Sequence, residues 1–235
     1  MRDPLAGLAD VPWRQLHHVD GVAADVPDRL RMLRSDSLDT RSVALTWLSR
    51  VPGSSSGAAV AGFLVALVDD PATPDREALV SLLHDVAFWD VSLPVPEDFE
   101  PDEAFQAAAK HVDSYVAWLA DPLLAAQAAE MLAYFPVSQP VVDALLASAA
   151  PASANLTLGY LTGYPSVDTH LMTALESPSR DVRMTAAVAL AFRLGADLPG
   201  NALDLLVDES PPPAPPGWDR SMRGFVTLAL RRVGL

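Results

Sequence analysis

The sequence predicts an all-α chain, an α-solenoid of about six antiparallel helix pairs. Three observations predict it. Apolar residues recur at helical spacing along nearly the whole chain. Short breaks rich in Asp, Ser and Pro divide that pattern. One pattern, D-x-R-x-x-A-x-x-x-L, returns along the chain with varying fidelity.

Taken in order, "LHHVDGVAADVPDRL" (16–30) leads into the first helix. Asp20-Gly21 is a turn signal, Asp25 suits an N-cap, and Pro27 falls near the first helical position. In "SVALTWLSRV", Val43, Ala44, Trp47, Leu48 and Val51 share one face. "GSSSG" (53–57) reads as a flexible helix–helix linker. Leu79, Leu82, Leu83 and Val86 repeat the stripe, and "AAQAAEMLAYF" and "MTAAVALAFRL" do so again. The breaks "RSDSLDTR", "VDDPATPDR", "LADPLLA" and "LESPSRDVR" supply caps and stops. No segment alternates long enough to predict a strand. "DVSLPVPEDF" comes nearest, and its two prolines demote it to loop. Two insertions interrupt the array, at 89–103 and 208–219. The second carries "PPPAPP", which favours an extended spacer between the helices of the last pair, with docking into an aromatic groove as the alternative. The whole of 1–235 reads as one domain, with 1–25 as an N-terminal cap segment.

The internal register aligns "DTRSVALTWL" (39–48) with "DVRMTAAVAL" (181–190), so that Arg41 matches Arg183, Ala44 matches Ala186 and Leu48 matches Leu190. "PDREALVSLL" and "SMRGFVTLAL" fit it with Arg76 and Arg223, and degenerate copies lie at 123–132 and 152–161. The small residue allows close approach of a neighbour, and the Leu fills a shared core. "ESPSRDVRMTAAVALAFRLG" resembles the second half of a HEAT repeat, where an Asp/Pro turn leads into D-x-x-V-R-x-x-A-A-x-A-L. Two copies depart from it, with Ala125 and Ala154 where the Arg belongs. The opening 12–41 is similar to the N-terminal segment of actinobacterial HEAT-like proteins. The resemblance implies an armadillo-like helical scaffold and implies no activity.

The formal net charge is −14. Lys110 is the only lysine, and the only Lys or Arg between Arg76 and Arg180. A surface of this sign repels phosphate, which disfavours nucleic acid and favours a basic protein or peptide partner. With no cysteine there is no disulfide, thiolate nucleophile or Cys-ligated zinc. The N-terminus lacks a signal-like apolar core, and the longest apolar stretch, 57–68, is too short for a bilayer. The expectation is a cytoplasmic protein with no membrane contact.

Candidate chemistry is sparse. Ser55 sits in a literal G-x-S-x-G, but a nucleophile elbow needs a strand before it, and here the flanks are helical. The acidic run 97–103 lacks calcium-loop spacing and reads as helix-start chemistry, with weak cation binding or a basic partner as alternatives. His84-Asp85 and His111-x-Asp113 read as solvated or capping histidines. His17 and His18 point apart, so one is expected to pack inward and the other to face water. "NLT" (155–157) is a glycosylation sequon only in a secreted chain.

No catalytic residue, cofactor or metal is expected. The expected function is that of a non-enzymatic interaction module or adaptor, holding a protein or peptide on a concave face, with an immunity-type inhibitor as one form. Extrapolating the register exposes Arg50, His84, Glu130, Tyr134, Arg193 and Arg231 on that face as partner contacts. The alternatives are an enzyme of the HEAT-like DNA glycosylase type and a structural subunit of a larger complex.

Overall fold

The computed structural model describes residues 3–208 and 210–235. The fold is mostly helical, as the periodicity predicts, with thirteen α-helices among the described residues. No described helix is long and apolar enough to cross a membrane. The chain forms two compact units, Met1–Ser114 and Tyr115–Leu235.

The first unit opens with a two-stranded hairpin, β1 (His17–His18) and β2 (Gly21–Val22), pairing His17 with Val22 and His18 with Gly21. No strand was expected here. The pairing is too short to leave a period-two pattern, and bonds from a neighbouring turn hold it. The His17 N–H donates to Ser55 Oγ at 2.9 Å, and the Ser56 N–H donates back to His17 O at 3.2 Å. Five helices follow: α1 (Val26–Met32), α2 (Leu38–Leu48), α3 (Gly57–Asp69), α4 (Arg76–Phe88) and α5 (Glu103–Ala109). The α3 helix packs against both α4 and α5, so it is apolar on several sides. Leu79, Leu82, Leu83 and Val86 of α4 are buried as expected. On α2, Ala44 and Leu48 are buried, while Val43 is 54% exposed. The stripe predicted from sequence was one residue too wide, because Val43 lies about 100° round the helix from Ala44. The acidic run serves helix-start chemistry through Asp102, whose carboxylate accepts the Phe105 N–H at 2.8 Å and caps α5. Pro101 therefore precedes the cap and is not the first helical residue.

A further helix, α6 (Val112–Trp118), contains the division between the units. The second unit then holds α7 (Ala125–Leu132), α8 (Gln139–Leu146), α9 (Pro151–Tyr160), α10 (Pro165–Ala174), α11 (Arg180–Leu194), α12 (Gly200–Asp208) and α13 (Met222–Arg232). The α9 helix packs on α7, α8 and α11, and α11 packs on α9, α10, α12 and α13. Every residue from Ser153 to Gly159 is buried. Polar side chains survive there by bonding to the neighbouring main chains. Ser153 donates to Ala126 O at 2.6 Å, Thr157 donates to Ala129 O at 2.5 Å, and Asn155 Nδ2 donates to Val182 O at 3.2 Å. Gly159 lets the backbones approach, since a Cβ there would lie 2.8 Å from Ala189 Cα.

The register read from sequence recurs as local structure at two of its four Arg-bearing copies, those of Arg41 and Arg183, whereas Arg76 donates to Val68 O at 2.7 Å. Before α2, Ser37 caps the helix through the Thr40 N–H, and Arg41 Nη1 donates to Ser35 O and Asp36 O at 2.8 and 3.1 Å. Before α11, Ser179 caps through the Val182 N–H, and Arg183 Nη1 donates to Ser177 O and Pro178 O at 3.0 and 3.3 Å. The same arginine thus turns back on the same two carbonyls of the preceding break in both copies.

Candidate functional site

The six register-derived surface residues divide on burial. Arg50 and Arg231 are exposed, and Arg50 pairs with Asp20 at 2.7 Å. The other four are not exposed. The His84 side chain is only 15% accessible and its ring lies 5.5 Å from that of Phe88. Arg193 lies inside, donating to Asp168 Oδ1 at 2.5 Å, to Tyr164 O at 3.1 Å and to Leu161 O. It therefore saturates the carbonyl end of α9 and the turn into α10, a need that the register does not reveal. Glu130 and Tyr134 are 3% and 8% exposed. The expectation that they lie open on a face is overturned, because the chain itself covers them.

The second insertion lies close by, with Asp219 near enough to Tyr134 to act on its phenol by charge. Its proline run ends in Gly217 and Trp218, and Trp218 is 9% exposed. The Trp218 ring lies nearly parallel to Tyr160, with centroids 6.3 Å apart and planes at 15°. It meets the Phe225 ring edge-on at 5.4 Å. Its Nε1–H donates to Ser153 Oγ at 2.7 Å, and the Ser153 O–H donates in turn to Ala126 O. One hydroxyl thus serves the indole as acceptor and α7 as donor. Gly217, at φ +90°, sits where a Cβ would come within 3.1 Å of Gln127 Cα. Asp219 and Arg220 follow. The Arg220 guanidinium lies 5.8 Å from the Phe225 ring centre.

This region of α7, α9 and the 210–219 segment is also where the tyrosines depart most from ordinary behaviour. Burial raises the Tyr134 phenol well above its usual value, and Glu130 adds to the rise by its charge and a side-chain hydrogen bond. Burial likewise pushes Tyr160 up to about 12, against a lowering by Arg220. Both shifts favour the protonated phenol, which acts as a hydrogen-bonding group. What the cluster can do is hold an aromatic ring between Tyr160 and Phe225 and take one N–H on Ser153.

The sequence pattern named Glu130 and Tyr134 and missed Ser153, Tyr160, Trp218 and Arg220. The signal was the tryptophan closing the proline run. A plain spacer has no use for a large apolar ring.

The remaining candidates resolve locally. His18 is buried and His17 is exposed, which matches the expected split. His18 Nδ1 accepts the Asp20 N–H at 3.1 Å, so the neutral ring carries its proton on Nε2, which faces Asp25 Oδ1 at 3.4 Å. The His18 ring meets Trp47 edge-on at 4.7 Å. Asp25 stands at the N-cap position of α1 but makes no side-chain cap bond. It is turned toward His18 instead. Ser55 accepts the His17 N–H from a turn between helices, so the linker is bonded to the hairpin and is not loose. Asn155 is fully buried, which closes the sequon to any enzyme acting on the folded chain. Among the described residues no group of three or more His, Asp or Glu is placed to hold a metal ion. Compared with known proteins, the chain matches no family model and shows no significant similarity to a curated protein.

Proposed function

We propose that the chain is a HEAT-like α-solenoid of about six helix pairs that serves as a non-enzymatic binding module for a protein or peptide. The observation that carries this reading is the recurrence before α2 and α11 of one cap and one arginine with the same two carbonyl acceptors. Two distant stretches that repeat such detail are copies of one helix-pair unit, and stacked units of that kind present extended surfaces suited to binding. The net charge of −14 favours a basic partner, whose association is accelerated by charge and slowed by salt.

The test uses the full chain, immobilised, against native lysate at low and high salt. The expected result is one basic protein retained at fixed stoichiometry, with an association rate that falls as salt rises. Failure to retain any protein, together with a tight shift of duplex DNA at low salt, would transfer the assignment to the glycosylase-type alternative.

A further inference from the structure

We infer that the 210–219 segment is an intramolecular ligand, and that the slot it fills on α7 and α9 is a docking site for a proline-rich segment ending in Gly-Trp. The inference deepens the binding-module reading and rests on it. It names the surface and the chemistry of the partner.

The chain supplies its own specimen of the partner. Five residues of the segment, Pro211, Pro212, Pro213, Pro215 and Pro216, carry no N–H. Such a segment cannot be held by a ladder of main-chain bonds, and its anchoring falls to its ends. At the near end, Arg180 Nη2 donates to Ser210 O. At the far end, the Trp218 N–H turns back on Pro215 O at 3.4 Å, and the indole enters the slot. A stiff proline-rich backbone docked beside aromatic rings is a recurring mode of peptide recognition, favoured because little chain entropy is lost on binding. Here the ligand is tethered.

The slot is selective on three counts. Tyr160 lies nearly parallel to the entering ring and Phe225 meets it edge-on, so the site takes an aromatic side chain. Ser153 Oγ, already donating to Ala126 O, offers only an acceptor, so a ring bearing an N–H is favoured over a phenyl ring. The approach to Gln127 Cα admits a glycine before that ring and no side chain. A partner presenting Pro-Pro-Gly-Trp meets all three. Such a partner must first displace the tethered copy, whose effective concentration is on the order of millimolar. The segment therefore keeps the slot closed to weak competitors.

The experiment uses a peptide of sequence PPPAPPGWDR and three forms of the full chain: unaltered, Trp218→Ala, and a variant whose residues 210–219 are replaced by a Gly/Ser linker of equal length. Folding is checked by circular dichroism and binding by calorimetry. The expected result is that the folded opened variants bind the peptide at least tenfold more tightly than the unaltered chain, and that Ser153→Ala within the linker variant removes most of that gain. Equal or absent binding by a folded opened variant overturns the inference. So does loss of the folded state in both opened variants, because the segment is then core and not ligand. The two readings separate cleanly. A stoichiometric lysate partner whose cross-links avoid α7 and α9 leaves the module standing and removes this slot. Absence of a lysate partner together with a tight duplex shift removes the module, and the slot with it.

Discussion

Single side chains here carry several main-chain obligations each. Arg193 satisfies carbonyls at the end of α9 and the start of α10 while pairing with Asp168. Leaving those buried acceptors bare costs about 1–3 kcal/mol apiece. Arg193→Ala is therefore expected to lower unfolding stability by about 3 kcal/mol, read from a urea titration. Lysine at that position restores only part of the loss, because an ammonium lacks the planar fork. His170 on α10 gives a second check. Burial lowers its pKa below the usual 6.5. As pH falls through the ordinary histidine range, the unfolded chain takes up the proton first. The stability that the neutral ring contributes is complete above about pH 6.5 and is lost as pH drops through the lowered folded value. The expected outcome is a lower urea midpoint at mildly acid pH, with the dependence reduced in His170→Gln.

Among the elements, α9 is the most constrained. It is buried from Ser153 to Gly159 and bonded through side chains to α7 and α11. A methyl group at Gly159 meets the Ala189 backbone, which cannot yield as a flexible side chain can. Gly159→Ala is expected to destabilise by roughly 1–3 kcal/mol despite its higher helix propensity. The cap of α11 is a milder case. Ser179→Ala removes the acceptor for the Val182 N–H and should cost about 1 kcal/mol. A denaturant series on the two variants orders them. A larger loss from the cap than from the glycine would show that α9 and α11 can move apart. The 210–219 segment belongs at this scale too. Composition predicts its extended, stiff character, and packing decides that its last ring is buried.

Over the whole molecule, acidity and buried phenols set the response to alkali. Unfolded tyrosines ionise near 10, whereas Tyr160 is pushed up to about 12 and Tyr134 is raised further. Folded values above the unfolded ones mean that this stability is intact below pH 10 and is lost as pH rises through the folded values. Raising the pH past 10 should therefore lower the stability of the second unit as these phenols ionise. Helix loss by circular dichroism is expected to coincide with the late part of the tyrosinate absorbance rise. Tyr160→Phe should move that loss to higher pH. Ionisation of all four tyrosines well before any loss of helix would contradict the burial described.

Local rules sufficed for much of this. Periodicity and caps are interactions between residues a few positions apart, so the sequence alone determined the helical character of the chain, the capped breaks before α2 and α11 and the Arg41/Arg183 register. It also predicted that one of His17 and His18 packs inward and the other faces water, though not which. The hairpin at 17–22, the interior places of Arg193, Glu130 and Tyr134, and the Trp218 slot were decided by tertiary structure. Each depends on which distant group arrives to bond or cover it: Ser55 for the hairpin, the end of α9 for Arg193, the 210–219 segment for the slot. Burial is a property of the assembled neighbours. A helical stripe reports that a face is polar or apolar, and only packing reports what comes to lie against it.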